Sequence, residues 1–538
     1  MYTDFGFLRK NVGDVDVLFH DGLYHLFHLV LPNHDFIAHA ISEDAFNWRR
    51  VDNALFIGNP GAWDDDMLWT MHVSIDPACF GTDSIRWRMF YTGLSRRDHG
   101  YVQRVGLAVS DDLYQWEKVR VNWPPDQRRN GDATADYESC FPLCAQEPHY
   151  EDSLDEGRRW VSWRDPFFFS DDGKSYLLTA ARVPDGPVIR RGCVGLSEEV
   201  EPGVFEARPP LYHPRIYDDV EVPNIVKIEG RYYLIGSIRE DVKVRYWYAD
   251  SLDGPWRNFF DNVLLPQGNY AARIGYDDKG PLVWNFFTVG SDRLRARNLM
   301  PPPKRLTVAE DGRLKLASFE GFEQQVREKL SCDQLAPFEP LVDNPDACAT
   351  VGDDACVTFD SDGGFEAFLL SETVDCFRLQ AKLHLEGRGK CGFIFRTNPD
   401  TSDGYHLSLD LIKGVAQLRA WGAYEGGTDE NAFRFQTLQA GYWLSDPGGP
   451  WNVELLAFGS YLEFSVNGFV LLTLADDTYT RGRVGIYVET ALLRAENLTL
   501  EKLQSPRRPT DLLTNMQSPI PAPGTGIGSG SANTGVSA

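Results

Sequence analysis

Ser42-Glu43-Asp44-Ala45-Phe46-Asn47-Trp48 returns as Ser110-Asp111-Asp112-Leu113-Tyr114-Gln115-Trp116, and in a shorter form as Ser251-Leu252-Asp253-Gly254-Pro255-Trp256. The three tryptophans are spaced as one and then two periods of about 70 residues, the mark of a repeated supersecondary unit. Around them the chain reads as short strands rich in aromatic and β-branched residues, such as Val17-Leu18-Phe19, Tyr24-His25-Leu26-Phe27-His28 and Tyr232-Tyr233-Leu234-Ile235. An acidic residue followed by glycine punctuates them at Asp21-Gly22, Asp172-Gly173 and Glu229-Gly230, and less regularly near Asp278. Trp87-Arg88-Met89-Phe90-Tyr91 fills the remaining period. Five units result, with no long amphipathic helix among them. Four-stranded units repeated radially make a β-propeller, so residues 1–330 are predicted to form a five-bladed one.

The pattern changes after residue 330. Cys391 to Arg396, Tyr405 to Leu409, Val415 to Arg419, Tyr461 to Val466 and Val484 to Val488 alternate as strands, separated by turns such as Asn467-Gly468 and Pro447-Gly448-Gly449. These predict a β-sandwich over 331–504. Residues 505–538 are Pro, Gly, Ser and Thr with few large apolar groups, a composition expected to stay disordered. The expected class is therefore all-β: propeller, sandwich, tail.

Composition narrows the function. Hydrophobic residues make up 43% of the 538, enough for large cores, and 14 Trp with 22 Tyr offer faces on which sugar rings stack. Lys plus Arg number 53 against 78 for Asp plus Glu, a net charge of −25 that argues against nucleic acid or an anionic membrane as partner. No run of about 18 apolar residues suggests a membrane span. The nine cysteines are scattered, and Cys140-x3-Cys144, the one close pair, has no second pair or His cluster beside it. Free thiols, no metal and no cofactor are expected. The first residues lack a basic start followed by an apolar run, which points to a cytoplasmic setting, or to a secreted one if a leader has been lost. Oligomeric state is not legible.

Three segments place a carboxylate at one end of a predicted strand: Gly13-Asp14-Val15-Asp16, Trp163-Arg164-Asp165-Pro166 and Glu221-Val222-Pro223-Asn224. They are too far apart for local structure to join, but a propeller points successive inner strands at one axis. Three convergent carboxylates suit glycoside cleavage: one as nucleophile or base, one as proton donor of raised pKa, one stabilising developing positive charge.

With these motifs the chain resembles the five-bladed propeller glycosidases of family 32, the invertase, levanase and fructosidase group, with kinship to family 43. Trp163-Arg164-Asp165-Pro166 resembles that group's Arg-Asp-Pro motif, and Glu221-Val222-Pro223-Asn224 its Glu-Cys-Pro-Asp motif. Gly13-Asp14, with Leu18 to Phe27 behind it, resembles the first-blade segment that carries the nucleophile. The resemblance runs from about residue 10 to 503. It implies a retaining mechanism with Asp14 as nucleophile, Glu221 as acid/base and Asp165 holding sugar hydroxyls. Asp16, two residues on, is the competitor for the first role. The chain departs from the group at several places: Asn-Asp-Pro-Asn-Gly is absent, Val222 and Asn224 replace Cys and Asp, and Trp69-Thr70-Met71-His72-Val73 stands where relatives carry a small hydroxyl or glycine stretch.

Secondary candidates for the sugar pocket are Trp69, Trp163 and Trp284 as walls, Asp66 and Arg164 as hydroxyl ligands, and His72. Asn269-Tyr270-Ala271-Ala272-Arg273 reads as a structural piece of the fifth unit. The implied partner is a fructosyl sugar or oligosaccharide. The alternatives are a family 43-like inverting α-L-arabinofuranosidase or β-xylosidase, and an inactive carbohydrate-binding protein.

Overall fold

A computed structural model describes residue 2 and residues 11–79, 85–119, 141–155, 157–288, 298–352, 355–423 and 433–506. Cys140, the segment around residue 84 and the expected disordered tail beyond 506 lie outside the described residues.

Five antiparallel sheets follow one another from Asn11 to Ala317. Blade I runs Asn11–His20, Leu23–Leu31, Phe36–Ser42 and Arg49–Arg50, with the short Leu55–Phe56 paired beside them. Blade II begins at Met67–Ile75, blade III at Trp163–Asp171, blade IV at Glu221–Ile228 and blade V at Asn269–Asp277. These five first strands are the inner ones: each lies against the next, and the fifth lies against the first, closing a ring. The chain forms a five-bladed β-propeller.

The repeats seen in the sequence have local causes. In blades I and II the serine motif is the turn from third to fourth strand. The Ser42 hydroxyl accepts from Ala45 N, Asp44 Oδ1 accepts from Phe46 N and Asn47 N, and Trp48 Nε1 donates to the Ala45 carbonyl. Ser110, Asp112, Leu113 and Trp116 repeat the same bonds. Side chains that bond their own backbone in this way fix a turn without help from the rest of the fold. The acidic-glycine pairs are two-residue hairpins with both φ values positive, at Asp21-Gly22, Asp172-Gly173 and Glu229-Gly230.

Ring closure between blades V and I is non-covalent. Val12, Val15, Val17 and Trp48 pack with Leu282, Trp284 and Phe287. Tyr24 donates to Asp277 at 3.1 Å, and Tyr2 exchanges two backbone bonds with Met300. Gly275 is needed here, because a Cβ at that position would strike the carbonyl oxygen of Val17.

From Val326 to Leu503 the strands form two layers joined by two long bent strands, Phe377–Thr397 and Gly482–Leu503. The first half of Phe377–Thr397 pairs with Trp451–Phe458 in one layer, and its second half pairs with Gly404–Asp410 in the other. The bend falls at a register shift beside Gly387, whose φ is +100°. The sandwich encloses its own apolar core and braces the propeller. The Thr473 carbonyl accepts from Asn269 Nδ2 at 3.0 Å, and Phe322 packs against Phe458 and Tyr461.

Candidate active site

All five inner strands share a defect. Ladder pairing breaks for two residues near the start of each: between Val12 and Val15, Leu68 and Met71, Arg164 and Phe167, Glu221 and Asn224, and Tyr270 and Arg273. Such bulges free residues from the in-out alternation of a strand and re-aim them. Asp165, Val222 and Ala271, at the same bulge position in three blades, have φ of +59°, +49° and +49°. For the β-branched Val222 this is a strained conformation, and it persists because the surroundings over-determine it.

The bulges converge. The Thr70 hydroxyl on blade II contacts both Asp14 of blade I and, at 2.8 Å, Asp165 of blade III. The second oxygen of Asp165 accepts from Val222 N of blade IV at 3.0 Å. Arg164 donates to Glu221 at 2.7 Å, and the Tyr270 hydroxyl of blade V donates to the other oxygen of Glu221. One connected network thus threads all five blades. Thr70, Asp165 and Arg164 are buried, whereas Asp14, Glu221, Tyr270 and Trp69 remain partly open to solvent.

The electrostatics follow from crowding. Burial, then the charge of Asp165, push Asp14 up to about 7, with Thr70 and Arg273 acting in the opposite direction. Burial also raises Glu221, against the pull of Arg164, while Asp165 and Asp219 add to the rise. A hydroxyl has one proton and cannot donate to two carboxylates. The Thr70 proton therefore serves Asp14 or Asp165 at any one time, not both.

Arg273 holds the arrangement from beneath. Its fully buried guanidinium reaches from blade V to the carbonyls of Met71 (3.4 Å), Pro166 (2.7 Å) and Pro223 (3.2 Å), one in each of blades II, III and IV. It is also a counter-charge to Asp14, Asp16 and Asp165.

The sequence candidates divide accordingly. Asp14, Asp165, Glu221 and Arg164 come together, with Trp69 beside Thr70 and its ring 5.9 Å from that of His34. Asp66 stands at the rim, 3.8 Å from Arg96. Asp16 is corrected: the bulge at Gly13-Asp14 breaks the shared face. Asp16 is 2% exposed, accepting from Val73 N at 2.7 Å and bonded to His72. His72 is corrected with it, since its second ring nitrogen donates to the Phe168 carbonyl and its ring lies on Phe167. Trp163 and Trp284 do not wall a pocket either, because each is 1% exposed within an inter-blade core. Sequence reasoning does not reach Thr70, Tyr270 and Arg273 as single residues, and it reaches Asp219 only as an acid beside Glu221. Thr70 lies inside the divergent Trp69 to Val73 stretch, and Tyr270 and Arg273 inside a segment that reads as structural. The bulge register reveals these three, and the pairing with Arg164 reveals Asp219.

The sequence matches no family model and no curated protein. Solved structures do match. Fructan 1-exohydrolase IIa from Cichorium intybus superposes with a TM-score of 0.65 at 14% identity, over 94% of this chain and 97% of that one. Exo-inulinase from Aspergillus awamori gives 0.64 at 15% identity, over 94% and 98%. The family 32 β-fructofuranosidase from Bombyx mori gives 0.59 at 13%, over 92% and 93%. At these identities the likeness is one of fold. The chain is a five-bladed β-propeller joined to a β-sandwich, in the architecture of the glycoside hydrolase family 32 enzymes.

Proposed function

We propose that this protein is a glycoside hydrolase that removes terminal fructosyl residues with retention. The observation that carries the proposal is the single network in which Thr70 links Asp14 to Asp165 while Arg164 and Tyr270 grip Glu221. The neighbours in fold support the substrate class, since they are a fructan exohydrolase, an exo-inulinase and a β-fructofuranosidase.

In the productive form one proton sits on Glu221 and Asp14 is ionised. Asp14 attacks the anomeric carbon as the bond to the leaving oxygen breaks, and that oxygen takes the proton of Glu221. Water then attacks the glycosyl ester, Glu221 takes a proton from it, and Asp14 leaves as carboxylate. Asp165, fixed by Thr70 and Val222 N, supplies negative charge beside the oxocarbenium-like transition state. The half-open Trp69 offers a ring face to the sugar. The limbs of the pH profile belong to the carboxylate cluster rather than to single residues. Within it, the loss of the proton that ionises Asp14 sets the acidic limb, and the loss of the proton that burial holds on Glu221 sets the alkaline limb.

The test is a panel of sucrose, inulin, levan and aryl arabinosides and xylosides, with the anomeric form of the first product read by NMR. Fructose released as the retained anomer supports the proposal. Cleavage of only the pentosides with inversion, or of none, overturns it.

A further inference from the structure

Asp219 is a buried carboxylate that the mechanism above leaves without a role. It is 2% exposed, and neither of its oxygens has a hydrogen-bond partner. Its position is nonetheless tightly imposed. Arg182 grips the neighbouring Asp218 through both its carbonyl (2.6 Å) and its carboxylate (2.7 Å), and Asp218 N donates to Glu240. The backbone at 218–219 lies so close to Gly192 that a Cβ there would overlap it. These contacts aim Asp219 at Arg164, whose Nη2 is 3.4 Å from Asp219 and 2.7 Å from Glu221. The other nitrogens of Arg164 are committed. Nη1 donates to Gln103 and Ser162, and Nε faces Asp165 at 3.6 Å. Two carboxylates therefore share one nitrogen, which has two N–H groups, and the near one is the acid/base of the proposed reaction.

We infer that Asp219 is a positioning residue that keeps Arg164 Nη2 beside an anionic partner whenever Glu221 is protonated. A guanidinium 2.7 Å from Glu221 by itself favours the ionised form, which cannot donate a proton. An alternative acceptor on the same nitrogen removes that obstacle, because Arg164 keeps an anionic partner when Glu221 becomes neutral. The charge of Asp219 also acts directly on Glu221, together with that of Asp165. The groups facing Glu221 are Arg164, Asp165, Asp219, Tyr270 and Asp14; those facing Asp219 are Arg158 at 3.8 Å, Arg164, Glu240 and the Cys193 thiol. Of these, Asp219 alone shares a guanidinium nitrogen with Glu221.

This role rests on the glycosidase reading, so the test has one arm that needs no turnover. The side-chain carboxyl carbons of glutamate are labelled with ¹³C in the full-length protein, and Glu221 is assigned by its loss in Glu221→Gln. Its titration is then followed in wild type and in Asp219→Asn. Glu221 should titrate lower in the variant by about 1 on the pH scale, the size expected when one close like charge is removed. The alkaline limb of kcat/KM on the best substrate should move down with it. An unchanged Glu221 titration overturns the role of Asp219. A shifted titration in a protein that cleaves no glycoside overturns the glycosidase reading and leaves the coupling standing. Should Asp219→Asn fail to fold, Asp219→Ser removes the charge with less bulk and is read in the same way.

Discussion

At the scale of single residues, Asp14 and Asp16 show how position in a bulge divides two neighbours with the same side chain. Asp14 is pushed up to about 7, mainly by burial and by Asp165. A carboxyl whose folded pKa lies above its unfolded value binds more protons when folded. Stability then falls as pH rises from about 4 to 7, and the full penalty applies above that. Asp14→Asn should abolish turnover by several orders of magnitude and yet raise the melting temperature above about pH 7.5, by a gain on the order of 1–3 kcal/mol that fades below about pH 4. Asp16→Asn should do the opposite. It weakens the bonds from Val73 N and His72 in a sealed site, so thermal unfolding should show a loss of about 1–3 kcal/mol. A stabilised, inactive Asp16 variant would mean that the first blade has been read in the wrong register. Glu221→Gln separates the acid role from the others. It should slow hydrolysis of natural sugars by about 10²–10⁴-fold and spare formation of the glycosyl-enzyme from an aryl fructoside. Azide should restore turnover on the activated substrate, since it needs no general base. Equal losses on both substrates would remove Glu221 from this role.

At the scale of elements, the repeated bulge is the device that makes a site from five strands. Without it, alternate residues of each inner strand would point into the inter-blade cores, where Trp163 does point. Arg273 stabilises three bulges at once by giving their carbonyls a donor. Arg273→Met should leave those carbonyls unsatisfied, at about 1–3 kcal/mol for each buried group, and lower the melting temperature accordingly. It also removes a counter-charge that lowers Asp14. The acidic limb of the pH profile, where Asp14 loses its proton, should therefore move upward, a shift that a purely structural residue would not produce. An Arg273→Met enzyme with wild-type stability and an unmoved profile would show that the bulges hold themselves.

At the scale of the whole molecule, the ring has no covalent clasp among the described residues, and the sandwich sits where blade V needs support. Gly275→Ala presses a methyl group against the Val17 carbonyl at the closure between blades V and I, and should cost about 1–3 kcal/mol by thermal unfolding. The sandwich contacts Asn269 and Gln267 just before Tyr270, through Thr473 and Gln439. Lys304 of blade V is fully buried, with the Tyr461 ring of the sandwich 5.4 Å away. A chain ending near residue 330 should expose this surface and aggregate or melt at lower temperature. A soluble, equally stable and fully active propeller would remove the sandwich from any supporting role.

Local chemistry makes the repeats legible in the sequence itself. The Ser42 and Ser110 turns bond their own backbone, and the Asp-Gly and Glu-Gly hairpins need left-handed residues at fixed places. Each unit therefore announces itself in a few consecutive residues, and five such units imply a ring. Asp14, Asp165 and Glu221 are legible as carboxylates at predicted strand starts. What only the tertiary structure decided is which neighbours act with them. A strand of period two gives Asp14 and Asp16 the same face, and the bulge that separates them leaves no mark in composition or spacing. Thr70, Asp219, Tyr270 and Arg273 acquire their roles from atoms on other blades, so their own sequence surroundings carry no sign of it. Trp163 and Trp284 carry the converse lesson. An aromatic ring is equally suited to a sugar and to a core, and burial between blades assigned both to the core.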